Sequence, residues 1–354
     1  MDHIKEAQGQ SNGLTPSVIG RALYKMLYER SEARLALEDE PLKHREPFAI
    51  GGKYVGVADS DILALRRFAQ QAVAASESFF TTDLPTDYHL EGSVLTFTSS
   101  IKSESARNNL VRAHYFPSRR ARGAFLLLPH WNSVREDYRR LVSLLNWVGL
   151  SCLQMSLPYH DERQSDDVGF ARELVSANLG RTLQANRQAV CDARACLHWL
   201  GQRSLGKLGV IGSSIGSSIA TLLAAHDESV GALCCMHMAE DFARVVMTGT
   251  ATTHIRDAVV RHIDERELMS IWAPISPLSY VERLSKRLRG ILIISGQFDK
   301  VFIPEHTADY VRRLRDRGSD VHWLRFWCGH YTLATFPFNV LAALAVSRRL
   351  GETQ

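Results

Sequence analysis

The 354-residue sequence contains no Cys-x-x-Cys pair, no block of lysines and arginines, and no apolar stretch long enough to cross a bilayer. Each of these gaps excludes something. The six cysteines (Cys152, Cys191, Cys196, Cys234, Cys235 and Cys328) lie in apolar strand or helix patterns, so they read as buried free thiols. The net charge of +4 is mild and unclustered, which argues against a nucleic-acid partner. Apolar runs such as Ala124–Leu128 are strand-sized, far short of the roughly 20 residues of a membrane span. The N-terminal residues are polar and lack the apolar stretch of a secretory signal. No internal repeat or low-complexity segment is present. The expectation is a soluble, cytoplasmic protein without a membrane span, and 45% apolar side chains suffice for a large core.

What is present falls into two zones. Residues 1–90 carry helical patterns without a run of strands. One helix is predicted over Ser17–Leu37, and a second starts at Ser60 or Asp61 and continues through Leu65, Phe68 and Val73; Gly51-Gly52 separates them. This helical N-terminal extension can pack on the flank of the main domain, roof its site, or act as an arm for homo-oligomer formation. From residue 91 to 354 the texture changes. Ser93–Ser99 and Leu110–Phe116 alternate as antiparallel strands do. Short apolar strands then alternate with helices: Ala124–Leu128, Ser151–Met155, Lys207–Ile211, Ala232–His237, Ile291–Ser295 and His322–Phe326. That alternation implies an α/β fold with a mostly parallel twisted sheet of about eight strands, flanked by helices. Ser133 and Glu136 fit a capping box for the helix after the first parallel strand. Residues 240–285 exceed what one crossover needs. They form either a lid insertion over the carboxyl edge of the sheet or a crossover with an extra core helix.

The most informative stretch is Gly212-Ser213-Ser214-Ile215-Gly216, between a strand and a helix. Gly-x-Ser-x-Gly at that junction is the pattern of a sharp, strained turn that lifts a serine hydroxyl clear of the sheet. A serine nucleophile needs a base and an acid to orient that base. Asp299 lies just beyond strand Ile291–Ser295, and His330 follows strand His322–Phe326 and Gly329. Parallel strands present their carboxyl ends on one side, so all three exits can meet there. The order Ser214, Asp299, His330 reads as a catalytic triad.

On the elbow, the Gly-x-x-Asp loop at 296–299 and the Gly-His pair at 329–330, residues 93–349 resemble the α/β-hydrolase superfamily, nearest to its dienelactone-hydrolase and acyl-peptidase-like esterases. The resemblance implies Ser214 as nucleophile, His330 as general base and then acid, and Asp299 as the group orienting the imidazole. An oxyanion hole is then expected from the backbone N–H of Ile215 and a donor in the loop Pro129-His130-Trp131-Asn132, with Asn132 favoured over Trp131. Many relatives carry glycine where this chain has Trp131. His130 is expected to brace that loop.

Tyr159, His160, Asp161 and Arg163 either line a substrate pocket or form a salt-bridged surface turn; Phe298 and Tyr331 are further candidates for substrate contact. His160-Asp161-Glu162 lacks the spacing of a metal site, so neither metal nor cofactor is expected. The reading is an enzyme that hydrolyses a small-molecule carboxylic ester through an acyl-enzyme. Two alternatives stay open: acyl transfer by the same residues, or a non-catalytic binding or assembly module on this fold.

Overall fold

The computed structural model describes residues 18–38, 46–164, 171–203, 206–288 and 290–352. Ser17, where the first helix was expected to begin, lies outside them.

Among the described residues, one nine-stranded sheet organises the chain. Its strands are β1 (His89–Glu91), β2 (Val94–Thr98), β3 (Leu110–Phe116), β4 (Gly123–Leu128), β5 (Leu150–Met155), β6 (Lys207–Ser213), β7 (Val230–Met236), β8 (Gly290–Gly296) and β9 (Asp320–Phe326). Their spatial order is β1-β2-β3-β5-β4-β6-β7-β8-β9. The first three pair antiparallel, β3 also runs antiparallel to β5, and every later neighbour is parallel. The sequence pattern suggested about eight strands. The extra one, β1, has three exposed residues, and a strand that buries nothing leaves no apolar alternation to read.

Alternation within a strand feeds two cores. In β4, Leu126 and Leu128 belong to the larger one, whereas Phe125 and Leu127 face the smaller. A strand buried on both faces is continuously apolar, as β4 is. The larger core is completed by α3 (Ile62–Ala74), α4 (Ser76–Phe80), α6 (Leu179–Gly201), α7 (Ile215–His226), α10 (Glu265–Trp272), α11 (Val281–Arg287) and α12 (Pro304–Arg315). On the other face lie α5 (Arg139–Trp147) and α13 (Phe338–Glu352). Leu65, Phe79 and Phe80 sit in the larger core beside Leu95 and Phe97, so α3 and α4 are built into the body of the molecule.

Two local expectations need adjustment. The predicted first helix is two, α1 (Val18–Leu27) and α2 (Glu29–Glu38), with the bonds Tyr28 N–H to Tyr24 O and Glu32 N–H to Tyr28 O bridging the break. The helix after β4 is preceded by a 3-10 turn over Arg135–Tyr138, and the acid that caps this turn is Asp137, which accepts from Val134 N–H at 2.9 Å, not Glu136. Between β7 and β8 the chain makes α8 (Phe242–Thr248), α9 (Thr253–Val259), α10 and α11. The stripe Ile255, Val259 and Ile263 is buried in the larger core, and Trp272 is fully buried with its indole N–H on Leu179 O at 3.2 Å. No described helix is long and apolar enough to cross a membrane.

Candidate active site

The parallel registers Leu128 with Gly212, Ser213 with Met236, Met236 with Ile294 and Gly296 with Phe326 bring the carboxyl ends of β4, β6, β7, β8 and β9 to one edge. Each chemistry-bearing residue sits one to four positions beyond such an end.

Ser214, the N-cap just before α7, has φ 53° and ψ −122°, a conformation that non-glycine residues adopt only where their surroundings enforce it. The enforcement is visible. Ser214 N–H donates to Met236 O at 2.7 Å, and Ser217 Oγ donates to the same carbonyl at 2.9 Å. A Cβ at Gly212 would strike the backbone of Gly216 and Ser217, and one at Gly216 would strike the carbonyls of Leu128 and Pro129. Small residues at 212 and 216 therefore let the turn close against its own helix and against the exit of β4.

Ser214 Oγ lies 3.3 Å from His330 Nε2, and His330 Nδ1 lies 3.0 Å from Asp299 Oδ2. The other carboxylate oxygen, Oδ1, accepts from Val301 N–H at 2.8 Å and Phe302 N–H at 2.7 Å. Phe302 stacks on the His330 ring, with centroids 5.4 Å apart and planes 9° from parallel. Fully buried Asp299 would be pushed up by desolvation, yet the adjacent imidazoles of His330 and His237 outweigh this and hold its carboxyl well below the usual range. It is an anion at neutral pH.

His237 is the member that sequence reasoning did not single out. Its Nδ1 stands 2.7 Å from Asp299 Oδ2, although the N–H is not aligned for a regular hydrogen bond. Its ring centroid is 4.2 Å from that of His330. Burial, reinforced by neighbouring His330, lowers its pKa below the ordinary histidine value against the pull of Asp299, so it is neutral at pH 7. A signal was available: His237 ends the strand pattern Ala232–His237 at the same edge as the other three. His237, Asp299 and His330 place their ligand-type atoms within 4.8 Å of one another. Both Nδ1 atoms, however, face one carboxylate oxygen instead of converging on a shared gap, as metal ligands do.

The loop after β4 is fixed at one residue. Trp131 Nε1–H donates to Ala171 O at 2.8 Å, and Asn132 Oδ1 accepts from Ala171 N–H at 3.0 Å. Asn132 has φ 59°. Among the described residues, the backbone N–H groups of Trp131, Asn132 and Ile215 have no acceptor. His130 meets the Tyr138 hydroxyl at 2.6 Å through Nδ1. Trp131 lies near-parallel to His254 of α9, with centroids 6.2 Å apart.

The remaining expected contacts scatter. Tyr159 is buried, with N–H on Asn108 Oδ1 at 2.9 Å, and His160 is 1% exposed with Nδ1 on Pro158 O at 2.8 Å. Arg163 is fully buried against Asp192 at 2.8 Å, whereas the neighbouring Asp161 is half-buried and Glu162 is exposed and pairs with Arg112 at 3.6 Å, so the turn is part interior and part surface. Phe298 is stacked on Tyr24 of α1 at 4.1 Å. Tyr331 packs edge-on to His330 and against Ala239, Val301 and Phe302.

No protein-family model and no curated protein matches the sequence. Solved structures do resemble it in three dimensions. A highly thermostable carboxyl esterase from Bacillus coagulans is 14% identical at a TM-score of 0.56, covering 73% of this chain and 98% of that one. Acetyl xylan esterase 1 from Thermoanaerobacterium sp. JW/SL YS485 is 17% identical at 0.58, covering 82% and 99%. A puromycin-hydrolyzing peptidase from Mycobacterium tuberculosis is 13% identical at 0.51, covering 76% of this chain and 47% of that one. At these identities what is shared is architecture.

Proposed function

We propose, starting from the α/β-hydrolase fold that this chain has, that it is a serine hydrolase cleaving a small-molecule carboxylic ester through Ser214, His330 and Asp299. The observation that carries this reading is Ser214 at φ 53°, with Oγ 3.3 Å from His330 Nε2 and that ring in turn 3.0 Å from Asp299. Three side chains from three strand exits have no structural need to line up in that order. At 3.3 Å the serine contact is at the long end of hydrogen-bond range and needs to shorten by only a few tenths of an ångström for proton transfer.

In this scheme Ser214 Oγ attacks the acyl carbonyl while His330 Nε2 takes its proton. The tetrahedral oxyanion is received by Ile215 N–H, at the free start of α7, and by Asn132 N–H, with Trp131 N–H as the alternative second donor. The bond to the alkoxide then breaks, and His330 returns the proton to the leaving oxygen. Water, activated by the same imidazole, attacks the acyl-serine and releases the acid. Asp299 keeps Nδ1–H of His330 pointed at itself, so that Nε2 faces the serine. Neutral His237 lies against the carboxylate without adding a second charge. Among the six residues considered for substrate contact, Tyr331 packs edge-on to the His330 ring. The esterase and peptidase activities of the structural relatives are consistent with acyl transfer at such a serine.

A fluorophosphonate probe tests the reading directly. It should label the folded protein once, at Ser214, and Ser214→Ala should lose both labelling and nearly all p-nitrophenyl ester turnover while melting normally. Retained turnover in that variant would falsify the assignment, and release of ester rather than acid when an alcohol is added would redirect it to acyl transfer.

A further inference from the structure

One carboxylate from the helical N-terminal segment reaches the loop that holds the candidate base. Glu32, on α2, is only 9% exposed. Its Oε1 accepts from Tyr331 N–H at 3.1 Å, and its Oε2 accepts from both Thr332 N–H and the Thr332 hydroxyl at 2.8 Å. The Thr332 Oγ1 in turn accepts from Gly329 N–H at 2.8 Å. One side chain thus grips the backbone on both sides of His330, directly at 331 and 332 and through the threonine at 329. A second, separate observation points the same way. A Cβ added at Gly329 would fall within the Glu32 carboxylate, and all three of its nearest neighbours are atoms of that group. The glycine before the histidine is the space the carboxylate occupies. Helix α1 adds a contact to the neighbouring loop, where Tyr24 stacks on Phe298 beside Asp299.

We propose that Glu32 is a positioning residue for His330: it fixes the 329–332 backbone so that the imidazole spans Ser214 and Asp299. This rests on the hydrolase reading above. The imidazole ring is packed by Phe302 on its face, by His237 on an adjoining side and by Tyr331 edge-on, so its placement follows its backbone anchor rather than free rotation. Misplacing a reacting group by about 1 Å costs on the order of a hundredfold in rate, and the contact acts on the base, not on substrate binding.

The test is a double-mutant cycle in the full-length chain between Glu32→Ala and Gly329→Ala. Each single variant should lower kcat on a p-nitrophenyl ester by about 10- to 100-fold with KM changed less than about twofold. Both should slow fluorophosphonate labelling of Ser214 equally. Glu32→Gln should recover part of the loss, because its amide oxygen still accepts while its NH2 faces a donor. In the Glu32→Ala background, Gly329→Ala should add almost nothing, because the atoms its Cβ would meet are gone. Activity-independent evidence comes from the downfield imidazole N–H proton between His330 and Asp299, which should weaken or shift in both single variants. If folded Glu32→Ala keeps its kcat within twofold, or changes only KM, or leaves that proton untouched, the positioning role is wrong. Should Glu32→Ala fail to fold, Gly329→Ala carries the same readouts. If the wild-type protein neither labels nor turns over ester, the hydrolase reading fails instead, and the imidazole proton still decides whether Glu32 sets the ring.

Discussion

The Ser214 elbow and the His330 loop lie at one edge of one sheet, yet they are held in opposite ways. The elbow is held by its own neighbourhood: two glycines, the helix it starts, and the backbone ends of β4 and β7. The His330 loop is held by a side chain 300 residues earlier in the chain. Even their glycines differ in kind. Gly216 faces backbone carbonyls that cannot move aside, whereas Gly329 faces the end of a flexible side chain. The proposed nucleophile is therefore specified by a five-residue pattern, while its proposed base depends on how distant parts of the chain dock. The comparison also separates two kinds of failure, loss of fold on the elbow side and loss of alignment on the histidine side.

The largest effect expected from the histidine side is Asp299→Asn. Without the anion the imidazole can take the wrong tautomer, and kcat should fall by about 10⁴-fold with little change in KM or folding. Steady-state kinetics on the purified variant would settle it, and a loss below tenfold would mean that His237 or another group orients the ring.

Gly216→Ala attacks the other side and should act on stability. Its methyl must displace the Leu128 and Pro129 carbonyls, at a cost of about 2 kcal/mol by analogy with overpacked cores. Denaturant melts should show the shift. A variant that melts like wild type would erase the distinction between the two glycines.

The smallest expected change is a slope. The folded pKa of His237 is depressed by burial, so as pH falls below the ordinary histidine value near 6.5 the unfolded chain binds the proton first, and stability declines. Asp299, also depressed, keeps its contribution until the pH falls below the unfolded carboxylate value near 4, and so is silent between pH 6.5 and 5. In that window His237→Gln should flatten the dependence of Tm on pH. An unchanged slope would assign the acid sensitivity to other histidines that burial depresses: His160 and His226, lowered to about 3 and about 4, or His114 and His306.

What could be read in the sequence follows the same division. Strands β4, β7 and β8 showed as apolar runs because burial on both faces leaves few polar positions, whereas the edge strand β9 was readable despite its exposed His322 and Arg325. Gly212-x-Ser214-x-Gly216 was readable because a strained turn needs particular residues at fixed spacing. Asp299 and His330 were found by their place after strands, and His237 satisfied that criterion but was absorbed into the strand before it. Glu32 gave no signal at all. An acidic residue on an amphipathic helix is ordinarily solvated, and only the docked structure shows the amides it meets. Strand β1 was invisible for the complementary reason, since it buries nothing. Tyr159, His160 and Arg163 had suggested a pocket or an exposed turn, because a run of polar and aromatic residues after a strand does not reveal that it will be walled in.

The span between Glu32 and Thr332 also sets an order of events during biosynthesis. A ribosome emits the acidic clamp 300 residues before the loop it fastens, so a nascent chain can already hold its serine elbow while the proposed base has not yet emerged. On the proposed mechanism, reactivity at the serine then waits for that loop, and a product cut short before it would be quiet.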